Sequence, residues 1–320
     1  MPNYQGVWSL SEQYQNASGW PLPPLTSSNL GVIFGGSPAT NTIQYVFIDT
    51  LGNSVDFGDL STTSSGGGSV ASTTRAVHAL CYAAGARVNT IEFVEMASAS
   101  NSSDFGDLTA ARNGIGSGGS ATRGIFAGGY TGSYSNTIDY VTIASTGNAT
   151  DFGDRTTTGN GLGIGNGGSS TRMLMAGGYN SSVDYINIID YVTIASTGNA
   201  TDFGDLSAAK TYPALTSSST RCVFGGGRTS SANGINVLEY VTISSTGNTT
   251  DFGDLTGNVW AGAACSSSAR GLYVGGDNSS GLDRIEYITI ASTGNAAFFG
   301  DLLANNEQAG ATSNAHGGLS

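Results

Sequence analysis

An all-β chain built from six repeats of one four-stranded sheet is predicted by three features of the sequence. First, Asp-Phe-Gly-Asp stands at 56–59, 104–107, 151–154, 202–205 and 251–254, with Phe298-Phe299-Gly300-Asp301 as an altered sixth copy. Phe57, Phe105, Phe152, Phe203, Phe252 and Phe299 are therefore 48, 47, 51, 49 and 47 residues apart, a period that marks a radial or stacked array of units. Second, every unit alternates short apolar, β-branched runs with Gly, Ser and Asn turn residues, which is a strand pattern. Third, the ends of the repeat region are complementary fragments. Residues 30–60 hold only the last three strands of a unit, and residues 304–320 match only the first strand of another.

The third unit shows how each element is assigned. Gly114 to Gly119 reads as a short Gly-rich strand, and Ser120-Ala121-Thr122 as a turn. Arg123 to Gly129 forms a second strand, and Asn136-Thr137-Ile138-Asp139-Tyr140-Val141-Thr142-Ile143 a third. Ser145-Thr146-Gly147-Asn148 supplies a hairpin turn, and 149–153 the fourth strand. Four antiparallel strands per unit make a propeller blade. Where innermost strands converge on an axis only small side chains fit, which accounts for the glycines. Ile138, Phe152 and either Tyr140 or Val141 are expected in the layers between blades.

Six such units predict a six-bladed β-propeller in which the C-terminal strand completes the first blade, leaving no open inner edge. The chain then divides into an N-terminal arm, 1–29, and a propeller, 30–320. Trp8, Tyr14 and Trp20 make the arm a candidate tether or docking segment, and packing on its own propeller is the alternative.

The charge balance narrows the partners. The net charge is −12, and 11 of the 23 carboxylates belong to the Asp-Phe-Gly-Asp copies. Lys210 is the one lysine. Nucleic-acid binding leans on clustered cations, so no nucleic-acid partner is expected. No apolar run approaches a membrane span and no basic-then-apolar start is present, so neither membrane insertion nor a signal peptide is expected. Cys81, Cys222 and Cys265 are an odd set without metal-like spacing, read as small buried residues. For the repeated aspartates, calcium would demand a denser oxygen set. Capping of turns by the Asp side chains is the preferred reading, and no metal or other cofactor is expected.

The order Arg, apolar run, Gly-Gly, loop, Ile-acid-Tyr-Val, turn, aromatic resembles kelch-repeat propellers. The doublets are Gly35-Gly36, Gly128-Gly129, Gly177-Gly178, Gly226-Gly227 and Gly275-Gly276. The second unit departs, reading Ala76-Val77-His78-Ala79-Leu80-Cys81-Tyr82 after Arg75. The segment from Tyr191 through Asp202-Phe203-Gly204-Asp205-Leu206 is similar to kelch-like repeats of structural proteins in tailed phages, marine ones especially. The start, Gly6-Val7-Trp8-Ser9-Leu10-Ser11-Glu12-Gln13-Tyr14-Gln15, is similar to a segment of phage tail and fibre proteins. The resemblance implies a virion location. It also implies a tail, fibre or decoration role, with other virion proteins as partners, homo-oligomers among the forms, and adhesion to a host-surface glycan or protein.

Two faces are expected. The turns joining strands one to two and three to four emerge on the first face, where Ser-Thr-Gly-Asn recurs at 145–148, 196–199, 245–248 and 292–295. The strand-opening Arg75, Arg123, Arg172, Arg221 and Arg270 also start there, with Leu30 in the first blade. They are read as blade construction, bonding turn carbonyls or acids such as Asp139 and Asp190; an anion site is the alternative. The second face holds the varied loops 130–135, 179–188, 228–237 and 277–284, and gains Arg112-Asn113, Lys210, Tyr212-Pro213 and Trp260. Tyr130, Tyr134, Tyr179, Tyr185, Tyr212 and Trp260 are the candidate binding residues, to stack on sugars or anchor a protein. Tolerated drift in loops is the competing reading.

No catalytic residue is assigned. His78 and His316 fall in strands, away from any Ser/Asp pair in sequence. Kinase chemistry is excluded because Asp-Phe-Gly recurs five times without a lysine strand or catalytic loop. A glycosidase carboxylate pair stays open, since sequence does not show separations. A non-catalytic role is expected, with a glycan-binding or glycan-degrading propeller as the alternative.

Overall fold

The computed structural model describes residue 25 and residues 28–319; Trp8, Tyr14 and Trp20 of the arm lie outside them. Six sheets follow one another around a ring. Blade 1 orders Gly310–Ser313, Leu30–Phe34, Thr40–Phe47 and Val55–Ser64, so the C-terminal strand lies innermost, with Gly31 opposite Ser313 and Phe34 opposite Gly310. Blade 2 is Gly68–Ala71, Arg75–Ala79, Thr90–Glu95 and Ser103–Asp107; blade 3 is Gly116–Gly119, Arg123–Ala127, Thr137–Thr142 and Thr150–Asp154. Blade 5 is Ala214–Ser217, Arg221–Gly225, Ile235–Thr242 and Thr250–Val259; blade 6 is Ala263–Ser266, Arg270–Val274, Arg284–Thr289 and Ala297–Asp301.

Blade 4 departs at its inner edge. Arg172–Ala176, Ile188–Thr193 and Thr201–Asp205 form a three-stranded ladder. The inner segment 161–168 makes only isolated bridges, from Ile164 to Ala214, Asn166 to Ser117 and Gly168 to Met173. Glycines at every second position weaken it as a strand, leaving Leu162 and Ile164 as its buried apolar side chains, and Gly165 turns the chain at φ +122°. Asn166 reaches the inner strand of blade 1, its Nδ2 donating to Thr312 Oγ1 at 2.6 Å.

The core is six inter-blade layers. Between blades 3 and 4, Ile125, Ile138 and Phe152 meet Met173, Met175, Val192 and Ile194. Tyr140 packs on that side, whereas Val141 packs with Phe105 of blade 2. The layer between blade 6 and blade 1, with Leu272, Val274, Ile285 and Phe299 against Ile33, Val46, Ile48 and Ala311, is built like the others. Closing the ring thus buries as apolar a joint as any other.

The repeated motif explains how joints are locked. In every blade the register between third and outer strands slips by one residue: Ile138 faces Gly153 while Asp139 faces Asp151, leaving Phe152 as the bulged residue. The bulge turns Phe152 into the joint, edge-on to Tyr140 at 5.9 Å. The glycine then lies against the next blade. A Cβ on Gly153 would stand 2.5 Å from the Gly198 carbonyl oxygen, and one on Gly106 equally close to that of Gly147. In exchange the backbones pair: Gly198 N donates to Phe152 O at 2.8 Å, Ala200 N to Asp154 O at 2.7 Å, and Asp154 N to Asn199 Oδ1 at 3.1 Å. The Asn contact recurs at all six joints, from Asp59, Asp107, Asp205, Asp254 and Asp301 to Asn101, Asn148, Asn248, Asn295 and Asn53. This corrects the expectation for the aspartates. The turn asparagine caps the Asp backbone, and among the described residues the motif carboxylates accept no hydrogen bond. Phe298, in place of the first Asp, is 55% exposed, as a solvent-facing position allows.

The arginines staple the same joints. Arg123 lies over Tyr140 at 4.4 Å, and its Nη1 donates to Ile194 O of blade 4 at 2.7 Å. Arg75, Arg172, Arg221 and Arg270 repeat this on Ile143, Ile243, Ile290 and Ile48. The expected carbonyl bond is found, but Asp139 and Asp190 are not their partners. Leu30, buried in its layer, leaves the joint between blades 1 and 2 without a staple.

Asp139 and Asp190 belong instead to a second lock. The acid of each third strand accepts from the segment after the preceding blade's outer strand. Asp139 binds Thr109 Oγ1 at 2.7 Å and Arg112 at 2.9 Å; Asp190 binds Thr156 Oγ1 at 2.5 Å and Arg155 at 3.1 Å; Glu239 binds Ser207 N at 2.8 Å and Lys210 at 2.5 Å. In blade 1 the neutral Gln44 takes the place, accepting from Leu303 N at 2.9 Å. Arg112 and Lys210 are therefore fully buried and not part of the second face. Desolvation favours a neutral Glu239, yet the Lys210 charge and the donors around it hold its carboxyl below the usual range. Burial lowers Arg112 and Arg155, opposed by Asp139 and Asp190 respectively.

Candidate binding face

The second face is organised by a closed ring of main-chain hydrogen bonds. Each residue that leads into an inner strand donates its N–H to the carbonyl of its counterpart one blade back. Gly66 donates to Gln308 (2.9 Å), Gly114 to Gly66 (2.9 Å), Gly161 to Gly114 (2.8 Å), Tyr212 to Gly161 (2.6 Å), Ala261 to Tyr212 (3.3 Å) and Gln308 to Ala261 (2.7 Å). All six are left-handed, with φ between +53° and +70°. Glycine adopts that conformation freely, whereas Tyr212, Ala261 and Gln308 do so at a cost of about 1 kcal/mol each.

Outside this ring, short two-way backbone bridges hold the loops that follow the second strands. Asn113 pairs with Tyr130, Asn160 with Tyr179, Thr211 with Arg228, Trp260 with Asp277 and Glu307 with Ser37. Blade 2 lacks the glycine doublet and still forms the bridge, from Ser65 to Cys81 and Tyr82, with Cys81 at φ +59°. A small hairpin, 82–83 with 86–87, continues its loop.

All six candidate aromatics lie on this face and all are half-buried. Tyr130 contacts Tyr134 (ring centroids 5.2 Å apart), Tyr134 contacts Tyr179 (5.9 Å), and Tyr179 contacts Tyr185 (5.4 Å). Tyr212 packs edge-on to Trp260 at 5.9 Å. Between the two groups lies an open cavity of about 350 Å³ lined by Asn160, Tyr179, Tyr185, Thr211, Tyr212 and Arg228. Burial, and then the Glu307 charge, pushes the Tyr212 phenol up to about 12, so it is a neutral hydroxyl at pH 7. Arg228, not singled out from sequence, lies over Trp260 at 5.5 Å. Its signal was its position: it follows Gly226-Gly227 as Tyr130 and Tyr179 follow their doublets.

The carboxyl pair of this face is Asp277 with Glu307. Burial would raise Asp277, but donors at Gly281, Ser279 and the Trp260 indole hold it below its ordinary value. Glu307 is raised by burial and then by the Asp277 charge.

The histidines lie inside the body. His78 stacks on Phe34 at 5.0 Å, between Ser64 Oγ on Nε2 and Ser69 Oγ on Nδ1, both 2.9 Å away. Its serine neighbours were not legible from sequence, because Ser64 belongs to blade 1. Ser64 gives its proton to the Leu80 carbonyl, so Nε2 donates to Ser64 and Nδ1 accepts from Ser69; the ring cannot take the Ser64 proton. His316 Nε2 donates to Ala71 O and Nδ1 accepts from Gly318 N, each at 3.1 Å. Burial lowers His78 to about 3 and His316 to about 4. The three cysteines are free and buried, with burial pushing Cys81 and Cys265 up to about 12. Among the described residues no helix is long and apolar enough to cross a membrane.

No protein-family model matches this chain, and no curated protein sequence matches it.

Proposed function

We propose that this chain is a non-catalytic structural protein of a tailed-phage particle, docked to other virion proteins and adhering to the host envelope through its second face. One observation carries the adhesive part: six half-exposed aromatics from four different loops form two contacting groups, and Tyr179, Tyr185 and Tyr212 from them line an open cavity between the groups. Half-exposed tyrosine and tryptophan give contact area to sugar or protein at little entropic cost. The virion setting rests on the kelch-like phage resemblance of 191–206 and of the first residues. A non-catalytic role is supported by the enclosure of both histidines.

The test is incubation of the purified protein with host envelope polysaccharide, together with localisation in purified particles. The expected result is retention on the polysaccharide without chain shortening, and labelling of a tail or surface element. Shortened product would replace adhesion with hydrolysis, and absence from particles would remove the virion role.

A further inference from the structure

Most cations of this acidic chain are spoken for. Arg75, Arg112, Arg155, Lys210 and Arg284 pair with carboxylates. Arg123, Arg172, Arg221 and Arg270 are spent on carbonyls of the next blade. Arg87 and Arg228 remain, with no carboxylate or carbonyl partner for their side chains among the described residues. Both stand on the second face and both lie over aromatic rings: Arg87 over Tyr130 at 5.1 Å, Arg228 over Trp260 at 5.5 Å.

They mark the two ends of one track. From Arg87 the rings Tyr130, Tyr134, Tyr179 and Tyr185 touch in succession and lead to the cavity that Arg228 lines. A second open cavity, about 380 Å³, lies beside Arg87 with Tyr82, Ala111 and Thr131. Arg228 Nε is buried without a hydrogen-bond partner. The Nε and Nη of a guanidinium are two parallel donors, the edge that matches the two coplanar oxygens of a carboxylate.

Most of the protein's negative charge lies away from the track. The motif aspartates open the outer strands just after the first-face turns, at the opposite end of the blades, and surface charges are screened beyond about 8 Å at physiological salt. Two acids stand nearer: Asp277, held by the Ser279 and Gly281 amides, and Glu307, whose charge reaches Tyr212, and the two guanidinium groups must outweigh them.

We infer that the track from Arg87 to Arg228 binds an extended acidic polysaccharide, its uronate carboxylates on the two guanidinium groups and its sugar rings on the tyrosines between. This rests on the adhesive reading above and names its ligand class.

The test compares binding of polygalacturonate, dextran and dextran sulfate of similar length to the full chain. Arg87→Gln, Arg228→Gln, their combination, Arg228→Lys and Tyr185→Ala are run alongside, each checked for an unchanged melting temperature. Polygalacturonate should bind at least tenfold tighter than dextran. The double Gln variant should lose that preference while keeping the dextran level, Arg228→Lys should keep part of it, and Tyr185→Ala should weaken both polymers. Equal binding of polygalacturonate and dextran, or a double variant that retains the preference, would overturn the inference and leave adhesion standing. Preference for dextran sulfate would overturn the carboxylate assignment. Binding of none of the three would overturn the inference, while retention on host envelope material would still decide adhesion separately.

Discussion

The joints between blades and the loops of the second face are made from the same repeat, yet they tolerate change in opposite ways. At a joint, glycine, asparagine, arginine and acid each have a fixed partner one blade away, so six copies stay nearly alike. On the second face the backbone ring and bridges are also six-fold, but the side chains they carry are not: Ser37, Tyr82, Tyr130, Tyr179, Arg228 and Asp277 occupy equivalent places. Main-chain bonds hold the loops whatever the side chain, and that frees side chains to meet a ligand.

The largest expected effect comes from one methyl group at a joint. Gly153→Ala puts a Cβ 2.5 Å from the Gly198 carbonyl, with strand backbone on both sides. A loss of about 3 kcal/mol or more in denaturant unfolding is expected. Gly147→Ala meets nothing within 4 Å and adds only strain at φ +154°, about 1 kcal/mol. Equal costs would deny that contact across the joint sets the constraint.

Next is the charge lock. Lys210→Met leaves Glu239 buried and unpaired, at a cost of about 3–5 kcal/mol. Adding Glu239→Gln should recover much of it, since a neutral amide serves in blade 1, where Gln44 accepts from Leu303. A double variant no better than the single would break that equivalence.

Acid should then weaken the body. His78 and His316 are neutral when folded, with values near 3 and 4, against about 6.5 unfolded. Their contribution is complete above pH 6.5 and is lost as pH falls, at about 1.4 kcal/mol per pH unit for each. Melting temperatures should hold steady from pH 8 to 7 and drop from 6 to 4.5. His78→Gln should flatten that drop, whatever its cost at pH 7.

The smallest stability effect should fall on the second face. Tyr134→Ala and Tyr185→Ala should change unfolding by about 0.5–1 kcal/mol or less, yet lower adsorption to host cells severalfold. Unchanged adsorption would make these loops drift without a ligand. Arg172→Ala lies between, losing a stacked contact and a carbonyl bond for about 1–2 kcal/mol.

Blade number, strand order and the C-terminal closing strand were legible because each depends on local periodicity and on counting complementary ends. Phe152 and its equivalents could be placed in the joints for the same reason. Partners could not be read, because each contact with the next blade spans about one to one and a half repeats of sequence. The asparagine that caps Asp154 is 45 residues on, and the carbonyl that binds Arg123 is 71 residues on. Lys210 and Arg112 looked like surface residues among loop letters, and only the fold showed the buried acid each of them meets.

The sequence by itself determined six sheets in a ring, since strand periodicity and turn chemistry act within a few residues. Tertiary structure alone decided which cations meet a buried acid, which aromatics touch and which carboxyls lie near enough to act on one another. Those outcomes depend on distances between side chains tens of residues apart, set by how one blade is turned against the next.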